Sequence, residues 1–147
     1  MKTIAREDLA AIFERAPALA QRVRGSDAAS IVASARSEIA RMTEAERIAV
    51  LDAHPRIGAE LGSLSPLSRR EQGGGADIIT VRELASLNDE YERKFGFRFV
   101  VFVGGRSKAE IVPVFRERIG RTREDELATG IEEFLKITSD RLKRIAP

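Results

Sequence analysis

One run in this chain, Phe97-Arg98-Phe99-Val100-Val101-Phe102-Val103, alternates as an extended segment does, and no second such run accompanies it. Phe97, Phe99, Val101 and Val103 fall on one side of it and Arg98, Val100 and Phe102 on the other. A lone extended segment cannot make a sheet, because a strand's backbone donors and acceptors need a neighbouring strand. Elsewhere the apolar residues recur with the period of a helix. The chain of 147 residues, 43% hydrophobic, is long enough for one real core. The expected architecture is all-α: a single domain over residues 1–147, of about seven or eight helices, with one short extended segment and one long loop.

Local signals place the helices. Leu9, Ile12 and Phe13 form a short apolar stripe that Pro17 interrupts. Ser26 or Asp27 can cap a second long helix striped by Ile31, Val32, Ala35 and Ile39. Thr43-Glu44-Ala45-Glu46 has capping-box spacing, and Ile48 and Leu51 carry that helix to His54-Pro55. From Pro55 to Asp77 periodicity dissolves into Gly, Ser, Pro and charge, a length of loop that is often functional. The helical pattern returns at Val81, Leu84, Leu87, Tyr91 and Phe95, with Gly96 as a left-handed stop. Ser107 and Glu110 form another capping box, opening a helix that must absorb Pro113. Thr122 can cap a last helix striped by Leu127, Ile131, Phe134, Leu135, Thr138, Leu142 and Ile145.

Composition narrows the function. Zero Cys excludes a thiolate nucleophile and thiolate metal sites, and a single His excludes the usual multi-histidine zinc centre. Lys+Arg 25 against Asp+Glu 23 leaves a net charge of +2, with the two signs interleaved along the chain. No run of like charge marks a nucleic-acid face or a polybasic membrane patch. No apolar run approaches a membrane span, and the N-terminus turns acidic before a signal-peptide core forms. The expectation is a cytoplasmic protein that works without metal or cofactor.

Four features can carry chemistry, and each has a plainer reading. His54, the only histidine, is suited by its ordinary pKa to move protons at neutral pH. At a helix end it is equally readable as a cation on the negative pole of the macrodipole. Ser68-Arg69-Arg70-Glu71-Gln72 pairs a carboxylate with an amide on a Gly-flanked loop, yet Ser-x-x-Glu is also a helix start. The segment 97–103 reads as buried core, but its backbone groups need partners that no helix supplies. Arg141 and Arg144, in a helix rich in cations, read by position as solvated surface.

Taken in order, these pieces resemble a family. His54-Pro55-Arg56-Ile57-Gly58, then Ser68-Arg69-Arg70-Glu71-Gln72, then Leu87-Asn88-Asp89-Glu90-Tyr91-Glu92-Arg93-Lys94-Phe95-Gly96-Phe97-Arg98-Phe99, then Gly105-Arg106-Ser107-Lys108-Ala109-Glu110-Ile111 is similar to the OHCU decarboxylases. These are the 2-oxo-4-hydroxy-4-carboxy-5-ureidoimidazoline decarboxylases of urate breakdown. The resemblance implies that His54 is the catalytic histidine, with Pro55 shaping the pocket beside it. It further implies that Ser68, Glu71 and Gln72 contact substrate, that the backbone of Phe99, Val100, Val101, Phe102 and Val103 binds the substrate ring, and that Arg141 reaches the pocket. It also implies a homodimer. Three departures stand out: Ala18 where the family often has Trp, Gly73-Gly74-Gly75 after Gln72, and Arg98 where Pro is frequent between the two Phe. Arg98 is expected to face out.

The implied reaction suits these residues. Loss of carbon dioxide from the hydroxyl- and carboxylate-bearing carbon leaves electrons that the ring's own C=N and C=O system accepts, so no external electron sink is implied. One proton, delivered to one face, then gives (S)-allantoin. A non-catalytic helical interaction module is the competing reading, and it makes His54 dispensable. A weak RNA binder, suggested only by the basic isoelectric point, is disfavoured by dispersed Arg and buried-looking aromatics.

Overall fold

The computed structural model describes residues 8–13, 17–58 and 78–145. Ser68, Glu71, Gln72 and the triple glycine 73–75 lie outside the described residues, as does the side chain of Ala18. Seven helices form among the described residues: α1 (Leu9–Ile12), α2 (Pro17–Arg22), α3 (Ala28–Arg41), α4 (Glu44–Asp52), α5 (Ile78–Phe95), α6 (Lys108–Ile119) and α7 (Arg123–Ile145). There is no strand among them, and none of the helices is long and apolar enough to cross a membrane.

Caps fix where the helices begin. Asp27, not Ser26, opens α3: its Oδ1 accepts the Ser30 N–H at 2.9 Å. At α4 the Thr43 hydroxyl accepts from Glu46 N–H at 3.2 Å while Glu46 accepts from Thr43 N–H at 3.1 Å. Ser107 and Glu110 repeat that exchange at α6, and Thr122 Oγ1 accepts from Asp125 N–H at 3.1 Å beside the start of α7. Each such contact contributes about 1 kcal/mol by satisfying donors that the first turn leaves free. Gly96, at φ +80°, takes the left-handed conformation just past α5, and α6 runs on through Pro113.

The 23-residue α7 is the spine, packed against α1, α3 and α4, while α5 pairs with α6. Its buried stripe includes Leu127, Ile131, Phe134, Leu135, Thr138 and Leu142, as its periodicity predicts. Phe134 stacks on Phe13 with ring centroids 6.2 Å apart. At Gly130 the missing Cβ matters: one built there would stand 3.0 Å from Leu51 Cδ1, so glycine lets α4 lie close across α7.

Residues 97–103 run extended between α5 and α6 without a ladder partner. Their aromatic rings hold them in place. Tyr91 meets Phe97 edge-on at 5.9 Å and Phe99 at 5.3 Å, and Phe99 stacks flat on Phe115 at 3.7 Å. Val100, placed by alternation on the opposite side from Phe99, is as buried as Phe97 and Phe99, whereas Arg98 and Phe102 on its side are half-buried.

Candidate active site

The turn carrying His54 leaves the end of α4 with the His54 N–H donating to Leu51 O at 3.1 Å. The next residues are clamped onto one face of α5. Arg56 pairs with Asp89 at 3.0 Å and with Glu92 at 2.8 Å, and the Asn88 side-chain amide donates to Ile57 O at 3.1 Å. Gly58 sits where a Cβ would press on Leu84 at 3.2 Å. The His-Pro-Arg-Ile-Gly block and the Asn-Asp-x-x-Glu run are thus one structural unit, whose product is a fixed imidazole.

That imidazole is 5% exposed and meets Phe134 edge-on at 5.3 Å. Neither ring nitrogen has a hydrogen-bond partner among the described residues. Burial, helped by the charges of Arg141 and Arg98, lowers its pKa from 6.5 to about 3. The reading of His54 as a charged residue on a helix terminus is therefore overturned: the ring is neutral. Buried polar atoms left without partners are costly, and their persistence calls for an explanation such as a ligand.

The same burial sets a pH dependence of stability. In the unfolded chain His54 takes up a proton as pH falls through about 6.5, whereas in the folded chain it does not until about 3. The unfolded state therefore binds more protons across that window. Stability is full above pH 6.5 and falls with acid by up to about 1.4 kcal/mol per pH unit. Urea unfolding at pH 6.5 and pH 5, above most carboxylate titration, should show wild type losing about 1–2 kcal/mol more than His54→Gln.

A pocket of about 310 Å³ opens over this ring, at the small end of the range for ligand sites. Its wall holds His54, Pro55 and Ile57 on one side and Phe99 through Gly105 on another, with Ile137, Asp140 and Arg144 of α7 closing it. The extended segment presents backbone to this space selectively. Arg98 N–H donates to Asp52 Oδ1 at 2.9 Å, Val100 O accepts from Arg118 at 2.7 Å, and Phe102 N–H donates to Glu133 at 3.2 Å. Phe102 O accepts from Arg106 at 2.6 Å. Consecutive residues of an extended chain aim their N–H and C=O to opposite sides. Arg98 N–H, Val100 O and both groups of Phe102 are thus taken up by the scaffold, while the N–H and C=O of Phe99 and Val101 have no partner among the described residues. The pocket offers a neutral imidazole, alternating amide donors and acceptors, and apolar walls, which suits a small ring bearing N–H and C=O groups.

Two of the arginines are placed differently from their sequence reading. Arg141 is not solvated: it is 1% exposed and donates to Ile12 O at 2.9 Å, tying α7 to α1. Its charge acts on His54, but it is not among the residues of the pocket wall. Arg144 is exposed, as its position predicts, and it also borders that pocket and pairs with Asp140 at 3.1 Å. Arg98 does not face out. It is half-buried, with its guanidinium on the carbonyls of Asp52 and His54.

Sequence reasoning missed a buried charge network behind the segment. Glu126, with no exposed surface, accepts from Tyr91 Oη at 2.7 Å, Arg118 Nε at 2.8 Å and Arg121 at 3.0 Å. Arg118 also lies over the Phe99 ring, 4.4 Å from its centroid. Burial, with the Glu126 carboxylate, pushes the Tyr91 phenol above its usual range. The one hint in sequence is that Glu126 adjoins Leu127 on the buried stripe of α7.

The described residues form an all-helical arrangement that holds the chain's one histidine buried, uncharged and without a partner among them at a small pocket, a geometry suited to moving a proton on a small molecule. The family is shown by sequence: a model of the OHCU decarboxylases matches residues 2–143, and the chain belongs to that family. It is 30% identical over 145 residues to a "Uric acid degradation bifunctional protein" of Bacillus sp. (strain TB-90), covering 93% of this chain and 29% of that protein's length. It is 29% identical over 139 residues to a "2-oxo-4-hydroxy-4-carboxy-5-ureidoimidazoline decarboxylase" of Haloferax volcanii, covering 89% of this chain and 82% of that one. The fold matches a crystal structure of OHCU decarboxylase in the presence of (S)-allantoin, with TM-score 0.78, 23% identity, and coverage of 97% of this chain and 98% of that one.

Proposed function

We propose that this chain decarboxylates 2-oxo-4-hydroxy-4-carboxy-5-ureidoimidazoline to (S)-allantoin at the pocket over His54. The observation that carries the reading is the buried, uncharged imidazole whose two nitrogens have no partner among the described residues, at the wall of a pocket lined by the extended segment. Family membership over residues 2–143 and a relative bearing that activity's name support it. The bond from the ring carbon to the carboxyl breaks and carbon dioxide leaves. Its electron pair forms a ring C=C as the adjacent C=N shifts its own pair onto nitrogen, which takes a proton from solvent; the hydroxyl then gives up its proton as the product carbonyl forms, and one proton is added to the ring carbon bearing the ureido arm. An imidazole that starts neutral is a proton acceptor, so His54 takes the hydroxyl proton. Phe99 and Val101 hold the ring edge through backbone groups, with Val100, Phe102 and Val103 supporting them. Ser68, Glu71 and Gln72 hold the ureido arm, Pro55 shapes the wall beside it, and Arg141 supplies a fixed charge next to the imidazole.

The family resemblance also supports a cytoplasmic homodimer. Substrate generated from urate in place should lose its ultraviolet absorption faster with this chain present; an unchanged decay contradicts the reading. Glu71 separates substrate contact from simple capping. Glu71→Gln keeps a box-competent side chain and Glu71→Ala loses it, a stability difference on the order of 1 kcal/mol. Both should lose decarboxylation if the carboxylate holds substrate. Full activity in Glu71→Gln means a cap alone.

A further inference from the structure

We propose that Arg98 is a positioning residue that fixes both the place and the charge state of His54. This inference rests on His54 being the proton-handling group of the proposed reaction. The last carbonyls of a helix have no intrahelical donor. At the end of α4, Arg98 Nη1 supplies one to two of the carbonyls there, Asp52 O at 2.9 Å and His54 O at 2.6 Å. Its own backbone N–H returns to Asp52 Oδ1 at 2.9 Å. One residue thus joins the turn carrying the imidazole to the segment whose next residues, Phe99 and Val101, carry the free amide edge. The two halves of the site are held in register by this contact.

The guanidinium also sets a positive charge beside a ring that makes no hydrogen bond among the described residues. Among the described residues, the charged groups around the imidazole come from three elements. Arg98 lies on the extended segment, Arg141 and the Asp140–Arg144 pair lie on α7, and Asp52 lies on α4 itself, its carboxylate already engaged by Arg98 N–H. Of these, Arg98 alone binds the backbone of His54. Both bonds come from one nitrogen, Nη1, held in the plane of a rigid guanidinium, whereas an ammonium sits on a flexible stem that places it less firmly. Lysine at this position should keep the charge and lose part of the register.

With one histidine in the chain, a single imidazole proton–carbon resonance reports its titration without assignment. Arg98→Met should move that midpoint upward and lower kcat at least tenfold, with KM within about threefold, because Arg98 does not touch substrate. Arg98→Lys should leave the midpoint near wild type and give an intermediate kcat. An unmoved midpoint in Arg98→Met overturns the proposal, even where kcat and Tm fall, since that is loss of structure alone. Should Arg98→Met not fold, Arg98→Lys decides: wild-type kcat there overturns it. A wild-type chain that makes no (S)-allantoin sinks the proposed reaction instead, while the imidazole midpoint still judges Arg98.

Discussion

His54→Ala should lower kcat by about 10²–10⁴-fold, the usual worth of a positioned proton-transfer group, while the far-ultraviolet circular dichroism stays that of wild type. No other His and no Cys exists in the chain to take over. The imidazole nitrogens bond no protein group among the described residues, so the fold loses ring packing against Phe134 and nothing from a hydrogen-bond network. Steady-state kinetics beside a thermal melt checks this. Turnover within a factor of a few of wild type removes His54 from the chemistry.

Glu126→Ala should be the most destabilising single change in the described structure. It strips the partner from Arg118, itself 5% exposed, and leaves the Tyr91 hydroxyl without its acceptor. Removing one member of a buried ion pair costs about 3–5 kcal/mol, against a total stability of about 5–15 kcal/mol for a typical domain. Replacing both members with apolar residues avoids the orphaned charge, so Arg118→Met with Glu126→Leu should be more stable than Glu126→Ala alone. That double variant still lacks the donor to Val100 O, so it should recover stability without recovering full activity. Urea midpoints of the three chains test the first part and kinetics the second. A double variant no more stable than Glu126→Ala contradicts the account of this network.

Much of the fold was legible because its rules are short-ranged. The capping boxes at Thr43 and Ser107, the stop at Gly96 and the stripe of α7 depend on residues within a turn or two of each other. The single extended segment was legible for the same reason. What it packs against was not, and so Val100 proved as buried as its neighbours. For arginine the local sequence says little, since its long side chain is defined by a distant partner. Arg98 reaches the end of α4, Arg118 reaches Glu126 and Val100, and Arg141 reaches Ile12. Arg141 and Arg144 sit three residues apart on α7, one buried against α1 and the other on the pocket wall. His54 shows the divide within one residue. Its place at a helix end follows from Pro55, but its neutrality follows from burial beside Phe134 and from the charges of Arg141 and Arg98.

The central claim is that the pocket over His54 converts a ureidoimidazoline to one enantiomer of allantoin. Urate oxidase and the hydrolase that forms the substrate can be run to completion of their steps, and this chain then added while circular dichroism of the product is followed. Wild type should produce the signal of (S)-allantoin at once, and His54→Ala should track the protein-free control, in which uncatalysed decay gives little or no net signal. A wild-type trace that matches the protein-free control, or a His54→Ala trace that matches wild type, contradicts the claim.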